Sequence, residues 1–372
     1  MNRAELFDKL QYGEPIRGED LSRLDLDGAD LSGGSFEEVR FPAALRGAAL
    51  KESSFVACDF SGSDLRAADL HLATFFRAKL DGARLDGAKL IAMSFLECTA
   101  DGASFANVEA PVATWMKTSL RRASFASANL DRANFLEVDA DQVNFASANL
   151  EKATLYRADL RTADLSATNL TLTTLVEARL GPKSFEGTRL FRTQFMRSDL
   201  AGASFAGIDC AQCNFMGADL EGATFEGARG PQCFFGEAKL ARAKLSGGFF
   251  PQAIFDKALM READLESAFL EEAYFGHASA PFARFSAAKL RDADFSHADL
   301  EGADFSRAGL LRTKFHRSRR DGTTLPRAAG WIGDDEELAR VEEWQPRHGA
   351  TLPKDASGAG SGAGPGTERK DG

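Results

Sequence analysis

A five-residue recurrence of large apolar side chains constrains this sequence more than any other feature. From Leu45 to Phe315 a leucine or phenylalanine occupies nearly every fifth position, and no insertion or deletion breaks the register. We call these residues the centres. A period of five matches neither the 3.6-residue period of an α-helix nor the two-residue period of a β-strand. Each five-residue unit must therefore combine a short extended piece with a turn.

The position two residues before each centre is also restricted. It nearly always carries Ala, Ser, Thr, Cys or Val, and the pattern A-(D/N)-L-x-x stands plainly at Ala148-Asn149-Leu150 and Ala218-Asp219-Leu220. Both apolar positions should point inward, while the other three are mostly polar. This pattern resembles the pentapeptide-repeat family over roughly residues 19 to 325. The resemblance implies four pentapeptides per coil, one on each side of a square, wound right-handed.

The distribution of phenylalanine supports four units per coil. Centres taken every 20 residues from Phe55 form a column that is almost entirely aromatic, and the opposite column mixes Leu and Phe. The two columns between them are almost free of Phe. Aromatic side chains stacked on neighbouring coils would fill a narrow core. Together with the shape and hand that the family resemblance implies, the sequence predicts an all-β, right-handed quadrilateral β-helix of about 15 coils.

Both ends of such a solenoid need covers, because an open terminal coil is an unpaired edge. We predict an N-terminal cap over 1–18, with a helix at 3–11, and the β-helix over 19–325. A C-terminal capping helix is predicted within 326–352, N-capped by Asp334 or Asp335, carrying Leu338, Val341 and Trp344 and stopped by Pro346. The Gly-, Ala- and Ser-rich residues 353–372 are predicted to be disordered.

Two irregularities interrupt the repeat. The step from Phe41 to Leu45 is four residues, which predicts a deletion or kink between the first repeats and the main body. Lys183 stands where a small inward residue belongs, so a local bulge is expected there.

Net charge does not by itself indicate a charged partner. The formal charge of −10 divides into −5 over residues 1–44, −2 over 45–325 and −3 over 326–372, so the repeat body is nearly neutral. The N-terminus lacks the basic segment and apolar run of a secretory signal, and no apolar stretch is long enough to cross a membrane. We expect a cytoplasmic protein without membrane or direct nucleic-acid binding.

A search for catalytic chemistry finds little. The sequence has no P-loop, G-x-G-x-x-G, G-x-S-x-G or H-E-x-x-H motif. His277 and His297 share an outward column one coil apart, but two ligands are too few for a metal. The spacing of Cys210 and Cys213 resembles a redox motif, and Cys213 and Cys233 could approach each other across a coil. All five cysteines lie on inward columns, so we interpret them as reduced core thiols. The chain is predicted to be non-catalytic, with no cofactor and no metal.

The residue directly after each centre should face solvent, and one such column is unusual. It contains nine successive apolar residues, which we call the apolar strip: Val56, Phe76, Leu96, Met116, Leu136, Tyr156, Val176, Met196 and Met216. At strand spacing the strip would extend roughly 40 Å. Contiguous apolar surface of this kind usually marks a binding site.

Charges of alternating sign follow the strip at the next sequence position. We call this column the charged ladder: Arg77, Glu97, Lys117, Glu137, Arg157, Glu177 and Arg197. Such a ladder could set the register of a partner. The other flank carries short polar residues from Ser54 to Asn214. These features predict a scaffold that binds another protein or a second copy of itself. A terminal segment folded over the strip is the alternative.

The family resemblance implies a second function. Some pentapeptide-repeat proteins are similar to B-form DNA in size and charge, bind DNA gyrase or a related topoisomerase, and protect it from inhibitors. One side of this chain carries the acidic residues Asp59, Asp81, Asp101, Asp139, Asp141, Asp159, Asp199, Asp219 and Glu221. It is interrupted by the bases Lys79, Arg121, Arg122, Arg161 and Arg179. A topoisomerase is therefore the alternative partner.

Overall fold

Short parallel strands stacked in sequence order form the body of the protein. The computed structural model describes residues 1–327 and 330–343, divided into the compact units Met1–Gly333 and Asp334–Gly372. The strands pair in parallel, each with the next. They are β1 (Ile16–Arg17), β2 (Ser35–Glu37), β3 (Ser54–Val56), β4 (Thr74–Phe76), β5 (Ser94–Leu96), β6 (Thr114–Met116), β7 (Asn134–Leu136) and β8 (Thr154–Tyr156). The first unit is thus an all-β parallel solenoid, with about seven turns through these strands.

Bridges with a 20-residue spacing show four pentapeptides per turn. Within one turn the bridged pairs are Ala44 with Asp64, Ala49 with Asp69, Ser54 with Thr74 and Asp59 with Lys79. We name these series the Ala44, Ala49, Ser54 and Asp59 rows. Phe36 instead faces Phe55, 19 residues away. This shorter turn confirms the deletion predicted before Leu45.

The core is a double column of aromatic rings with small residues between them. Nearly all centres and the small residues two positions before them are fully buried. Rings stack within a column, as Phe255 and Phe275 do at 4.6 Å between centroids and 1° between planes. Rings of the opposite column meet them edge-on, as with Phe215 and Phe225 at 5.6 Å and 87°. Both geometries are favourable for aromatic pairs.

Beyond Leu45, pairing between turns fails at one place on each of three rows. In residues 1–327, the bridge from Asp139 to Asp159 is missing from the Asp59 row, and Ala140 N–H and Asp159 N–H lack backbone acceptors. The Ala44 row has the same gap between Asp164 and Ser184, and the Ala49 row between Arg189 and Asp209. These gaps lie on three sides, each between a different pair of successive turns, and we call the three together the seam. The Ser54 row continues through it, by way of Thr154, Thr174 and Gln194.

Lys183 gives the physical reason for one gap. Its ammonium donates a hydrogen bond to the Ala163 carbonyl, the acceptor that the Ser184 amide would use in a regular turn. Burial lowers the pKa of Lys183. The bulge predicted at this residue is therefore present. Clefts open along the seam, one of about 430 Å³ beside Asp139 and Asp159 and one of about 300 Å³ beside Lys183.

Two helices flank the solenoid sequence. Helix α1 (Arg3–Gln11) begins with a capping box, in which Asn2 accepts from the Glu5 amide and Glu5 accepts from the Asn2 amide. Its Leu6 is fully buried in the solenoid core.

The second unit contains α2 (Glu336–Glu343), whose N-cap carboxylate, Asp335, accepts from the amides of Glu337 and Leu338. The predicted positions of Trp344, Pro346 and the tail over 353–372 lie outside the described residues. Neither described helix is long and apolar enough to span a membrane.

Candidate protein-docking face

Strand pairing holds the apolar strip in register. Successive pairs place Val56 beside Phe76, Phe76 beside Leu96 and Leu96 beside Met116. The same register continues to Leu136 and Tyr156. The Ser54 row, which carries the strip, is bridged without a gap from Ser54 to Lys314. The strip is thus fixed on a continuously hydrogen-bonded side of the solenoid.

Each strip side chain is half-buried. All nine fall between the buried core residues and the fully exposed ones. The strip side chains point outward, as the sequence predicts. Each one is nevertheless partly buried, because it packs between the strip residues one turn above and one turn below. What remains accessible is a continuous apolar surface.

Aromatic side chains extend this surface past Met216. The strip column has no side chain at Gly236, and the ring of Phe234 covers this glycine. A Cβ added to Gly236 would lie 2.6 Å from Cζ of Phe234. Tyr274 covers Gly276 in the same way. Ile254 lies between these two in the Ser54 row and is 37% exposed. The apolar surface thus moves to the flank beyond Met216.

The charged ladder is partly paired within the chain. Arg77 Nε lies 2.9 Å from a Glu97 carboxylate oxygen. Glu177 accepts from Arg157 at 2.8 Å and from Arg197 at 3.1 Å, and these hydrogen bonds lower the pKa of Glu177. All these groups are exposed enough for solvent to screen them, so each pair contributes little to stability.

Two of the arginines lean over the strip. The guanidinium carbon of Arg77 lies 4.7 Å from the centroid of the Phe76 ring, and that of Arg157 lies 4.9 Å from the Tyr156 ring. These are cation–π distances. The charged ladder and the apolar strip therefore form one surface, which we call the docking face.

The backbone of the charged ladder favours glycine, but glycine is absent there. Arg77, Glu97 and Lys117 have φ of 52°, 55° and 49°. In this left-handed region a side chain costs roughly 1 kcal/mol. The Asp59 row places Gly62, Gly82 and Gly102 at the equivalent turn. The same left-handed conformation is adopted by non-glycine residues on the other sides of the solenoid, as at Ala67, Leu72 and Arg122, so it is a general feature of the pentapeptide turn.

Part of the acidic side is paired with bases. Asp139 pairs with Arg121 at 2.6 Å, and Asp159 pairs with Arg161 at 2.7 Å and Arg179 at 3.3 Å. Farther along, Lys239 lies 3.1 Å from Asp219. Three of the bases that interrupt this side in the sequence, Arg121, Arg161 and Arg179, are thus partners of its carboxylates in space.

The cysteines are buried free thiols. Burial raises the pKa of Cys58 and of Cys98 to about 11, and raises those of Cys213 and Cys233 as well. The sulfur–sulfur contact in this region joins Cys233 to Cys210 at 3.9 Å. Such protonated thiols are poor nucleophiles.

The histidines form a small cluster. The rings of His277 and His297 stack at 4.8 Å, as their shared column predicts. His316 meets His297 edge-on at 5.6 Å. The sequence did not place His316 in this cluster, because His316 comes directly after its centre, whereas His277 and His297 come two residues after theirs.

The fold and its four bridged rows define a β-solenoid built of pentapeptides. The family model for pentapeptide repeats matches this sequence in eight copies, at residues 43–82, 53–90, 118–155, 144–181, 193–229, 235–271, 268–307 and 283–319. These copies cover more than half of the chain, and the protein belongs to the pentapeptide-repeat family. A comparison with curated proteins gives no match.

Several solved structures are similar to this chain. One is HetL, a pentapeptide repeat protein involved in heterocyst differentiation regulation from the cyanobacterium Nostoc sp. strain PCC 7120, with 20% identity over 84% of this chain and 96% of HetL, and a TM-score of 0.22. Full-length QnrB1, a plasmid-mediated fluoroquinolone resistance protein, has 14% identity over 70% and 98%, and a TM-score of 0.15.

A pentapeptide repeat protein from the Arabidopsis thaliana thylakoid lumen has 22% identity over 42% of this chain and 68% of its own, and a TM-score of 0.14. At such TM-scores these likenesses carry no argument about function.

Proposed function

We propose that this protein is a non-catalytic scaffold, a right-handed solenoid of about 15 coils that binds a protein partner through the docking face. The observation that carries the proposal is the unbroken apolar strip on the one row whose pairing is continuous. Half-buried apolar side chains held by neighbouring strands lose little conformational entropy when a partner covers them. Such a face is prepared for binding before the partner arrives.

A topoisomerase remains the second candidate partner. The family resemblance and the acidic residues of the Asp59 row motivate it. We rank it below the scaffold because the pairing of Asp139, Asp159 and Asp219 with bases interrupts the uniform negative charge that a DNA mimic needs. A supercoiling assay with purified gyrase and an inhibitor tests it, and restored supercoiling in the presence of this protein would favour it over the scaffold.

Charge placed in the strip tests the scaffold. Leu96→Glu combined with Leu136→Glu should abolish association of this protein with its protein partner in sedimentation experiments. The reason is that two carboxylates would be desolvated at the interface between the docking face and the partner. The circular dichroism spectrum should stay unchanged, since both side chains lie outside the core. A matched control is Ala106→Glu with Ala126→Glu, on the opposite side of the solenoid, which should leave association intact. Association that survives the strip substitutions would contradict the proposal.

A further inference from the structure

We infer that the docking face pairs with a second copy of this chain, antiparallel, with the turn of Leu136 opposite the turn of Tyr156. This inference rests on the proposed function and names its partner. It is argued from the order of charges in the charged ladder and from what lies at the two ends of the apolar strip.

Symmetry limits how two such faces can meet. Self-pairing through one surface normally uses a twofold axis. An axis in the interface and parallel to the solenoid would set each charged ladder against the Ser- and Thr-rich flank of the other copy. An axis perpendicular to the solenoid sets charged ladder against charged ladder and strip against strip, with the order reversed. Only the second arrangement brings opposite charges together.

The alternating signs then select the register. With the axis between the turns of Glu137 and Arg157, these two residues oppose each other across the interface. Lys117 opposes Glu177, and Glu97 opposes Arg197. The twofold axis repeats each contact, giving six pairs of opposite charge. A shift of the axis onto the turn of Glu137 would instead set Arg77 against Arg197 and Glu97 against Glu177, so every contact would be repulsive.

The ends of the strip distinguish this register from the next one with favourable charges. In the proposed register Val56 faces Gly236, whose surface is the apolar ring of Phe234. If the axis lay between the turns of Lys117 and Glu137, the apolar Met216 would face Glu37, the residue paired with Val56 at the end of the strip. If the axis lay between the turns of Arg157 and Glu177, Phe76 would face Asp256. Of these three registers, only the proposed one keeps apolar contact unbroken along the strip.

The geometry of single side chains agrees with this arrangement. Arg77, Arg157 and Arg197 keep 64%, 55% and 58% of their side chains exposed although they are paired within the chain. Each carboxylate has acceptor capacity left for a second guanidinium. A face roughly 40 Å long and about 15 Å wide buries about 600 Å² per copy, near the ~800 Å² of a standard interface. Exposed charge pairs contribute mainly to register and specificity.

Charge exchange between two variants tests the register. Glu97→Arg alone sets two guanidinium groups against each other at both symmetry-related contacts, and Arg197→Glu alone sets two carboxylates against each other at both. Each variant should dimerise at least roughly tenfold more weakly than the wild type. An equimolar mixture should recover wild-type affinity, because both contacts become opposite in the heterodimer. The contacts within each chain are the same in the mixture as in the separate variants. A recovery of affinity must therefore come from contacts between the two chains.

A mixture of Glu97→Arg with Arg157→Glu is the matched control. Residue 157 opposes 137 in the proposed register, so this mixture should stay weak. Recovery here, and not with Arg197→Glu, would overturn the register. A wild-type protein that sediments as a monomer at about 100 μM would overturn the self-pairing itself.

A photocrosslinker at Leu136 separates this inference from the scaffold proposal. Crosslinks to Tyr156 of a second copy support the self-pairing. Crosslinks to a different protein would leave the docking face intact and overturn self-pairing. A monomeric protein without any crosslink would overturn both.

Discussion

At the residue scale, Lys183 shows how one side chain changes the pairing of two turns. Buried hydroxyls at equivalent positions, such as Thr173 and Thr193, each donate to a carbonyl 23 residues earlier, at 2.7 Å. Lys183 is too long for this arrangement and takes the Ala163 carbonyl with its ammonium instead. The regular bridge between Asp164 and Ser184 is lost as a result.

Replacing Lys183 should stabilise the fold in a pH-dependent way. Because burial lowers its pKa in the folded state, folding favours the neutral amine. The destabilisation of the fold by the buried ammonium is complete at pH values below the pKa of Lys183 in the folded state. It vanishes above the ordinary pKa of 10.5. We expect Lys183→Thr to raise the unfolding midpoint at pH 7, with an advantage that shrinks as the pH approaches 10.5. The exposed Lys244→Thr should show no such trend in the same denaturant titrations, and a pH-independent effect at Lys183 would contradict this explanation.

Trp115 gives a second test at this scale. It is fully buried, stacks on Phe135 at 4.7 Å, and its indole N–H has no hydrogen-bond partner among the described residues. Trp115→Phe should change the free energy of unfolding by less than about 1 kcal/mol, because the lost ring volume is offset by removal of the unpaired donor. Trp115→Ala should cost about 3–5 kcal/mol. Chemical denaturation measures both, and a loss well above about 1 kcal/mol for Trp115→Phe would show that the unpaired N–H carries no penalty.

At the element scale, α1 covers the first turn of the solenoid. Leu6 is fully buried, and Arg3 donates to the Asp25 carbonyl at 2.7 Å. Without this cover the first turn would present unpaired strand groups and open core.

Leu6→Asp should therefore release α1 and cause concentration-dependent aggregation, which static light scattering measures. The exposed Ala4 lies in the same helix, so Ala4→Asp introduces the same charge without removing a core contact. It should leave the protein monodisperse at its native oligomeric size. Equal aggregation of both variants would indicate an effect of charge and not of the cap.

At the scale of the whole solenoid unit, backbone pairing is uneven. Three rows lack a bridge within 139–209, and in this segment the aromatic stacks are interrupted at Leu155, Leu165 and Leu175. The Ser54 row alone is continuous across this segment. Local opening costs least free energy where the fewest backbone hydrogen bonds must be broken.

Hydrogen exchange should reveal the seam directly. The amides of Ala140, Asp159, Ser184 and Asp209 should exchange at least roughly tenfold faster than those of Thr154 and Thr174, which lie in the same turns on the Ser54 row. Peptide-level mass spectrometry after short labelling distinguishes the two groups. Uniform protection around each turn would contradict the seam.

Much of the docking face was predictable from the sequence. A strict period places every strip residue one position after a centre, so strip, charged ladder and flank follow from residue numbers alone. The half-burial of the strip and the contacts of Arg77 and Arg157 with aromatic rings were not predictable, because they depend on side-chain packing between residues 20 positions apart.

The sequence by itself determined the parallel solenoid, its four-unit turn, the shortened turn before Leu45 and the bulge at Lys183. These follow from local spacing, since a side chain's position within its pentapeptide decides whether it points inward. Only the tertiary structure decided the other two gaps of the seam, the pairing of the acidic side with its bases and the contact of Cys233 with Cys210. Each of these depends on how one turn settles on the next, and no single pentapeptide carries that information.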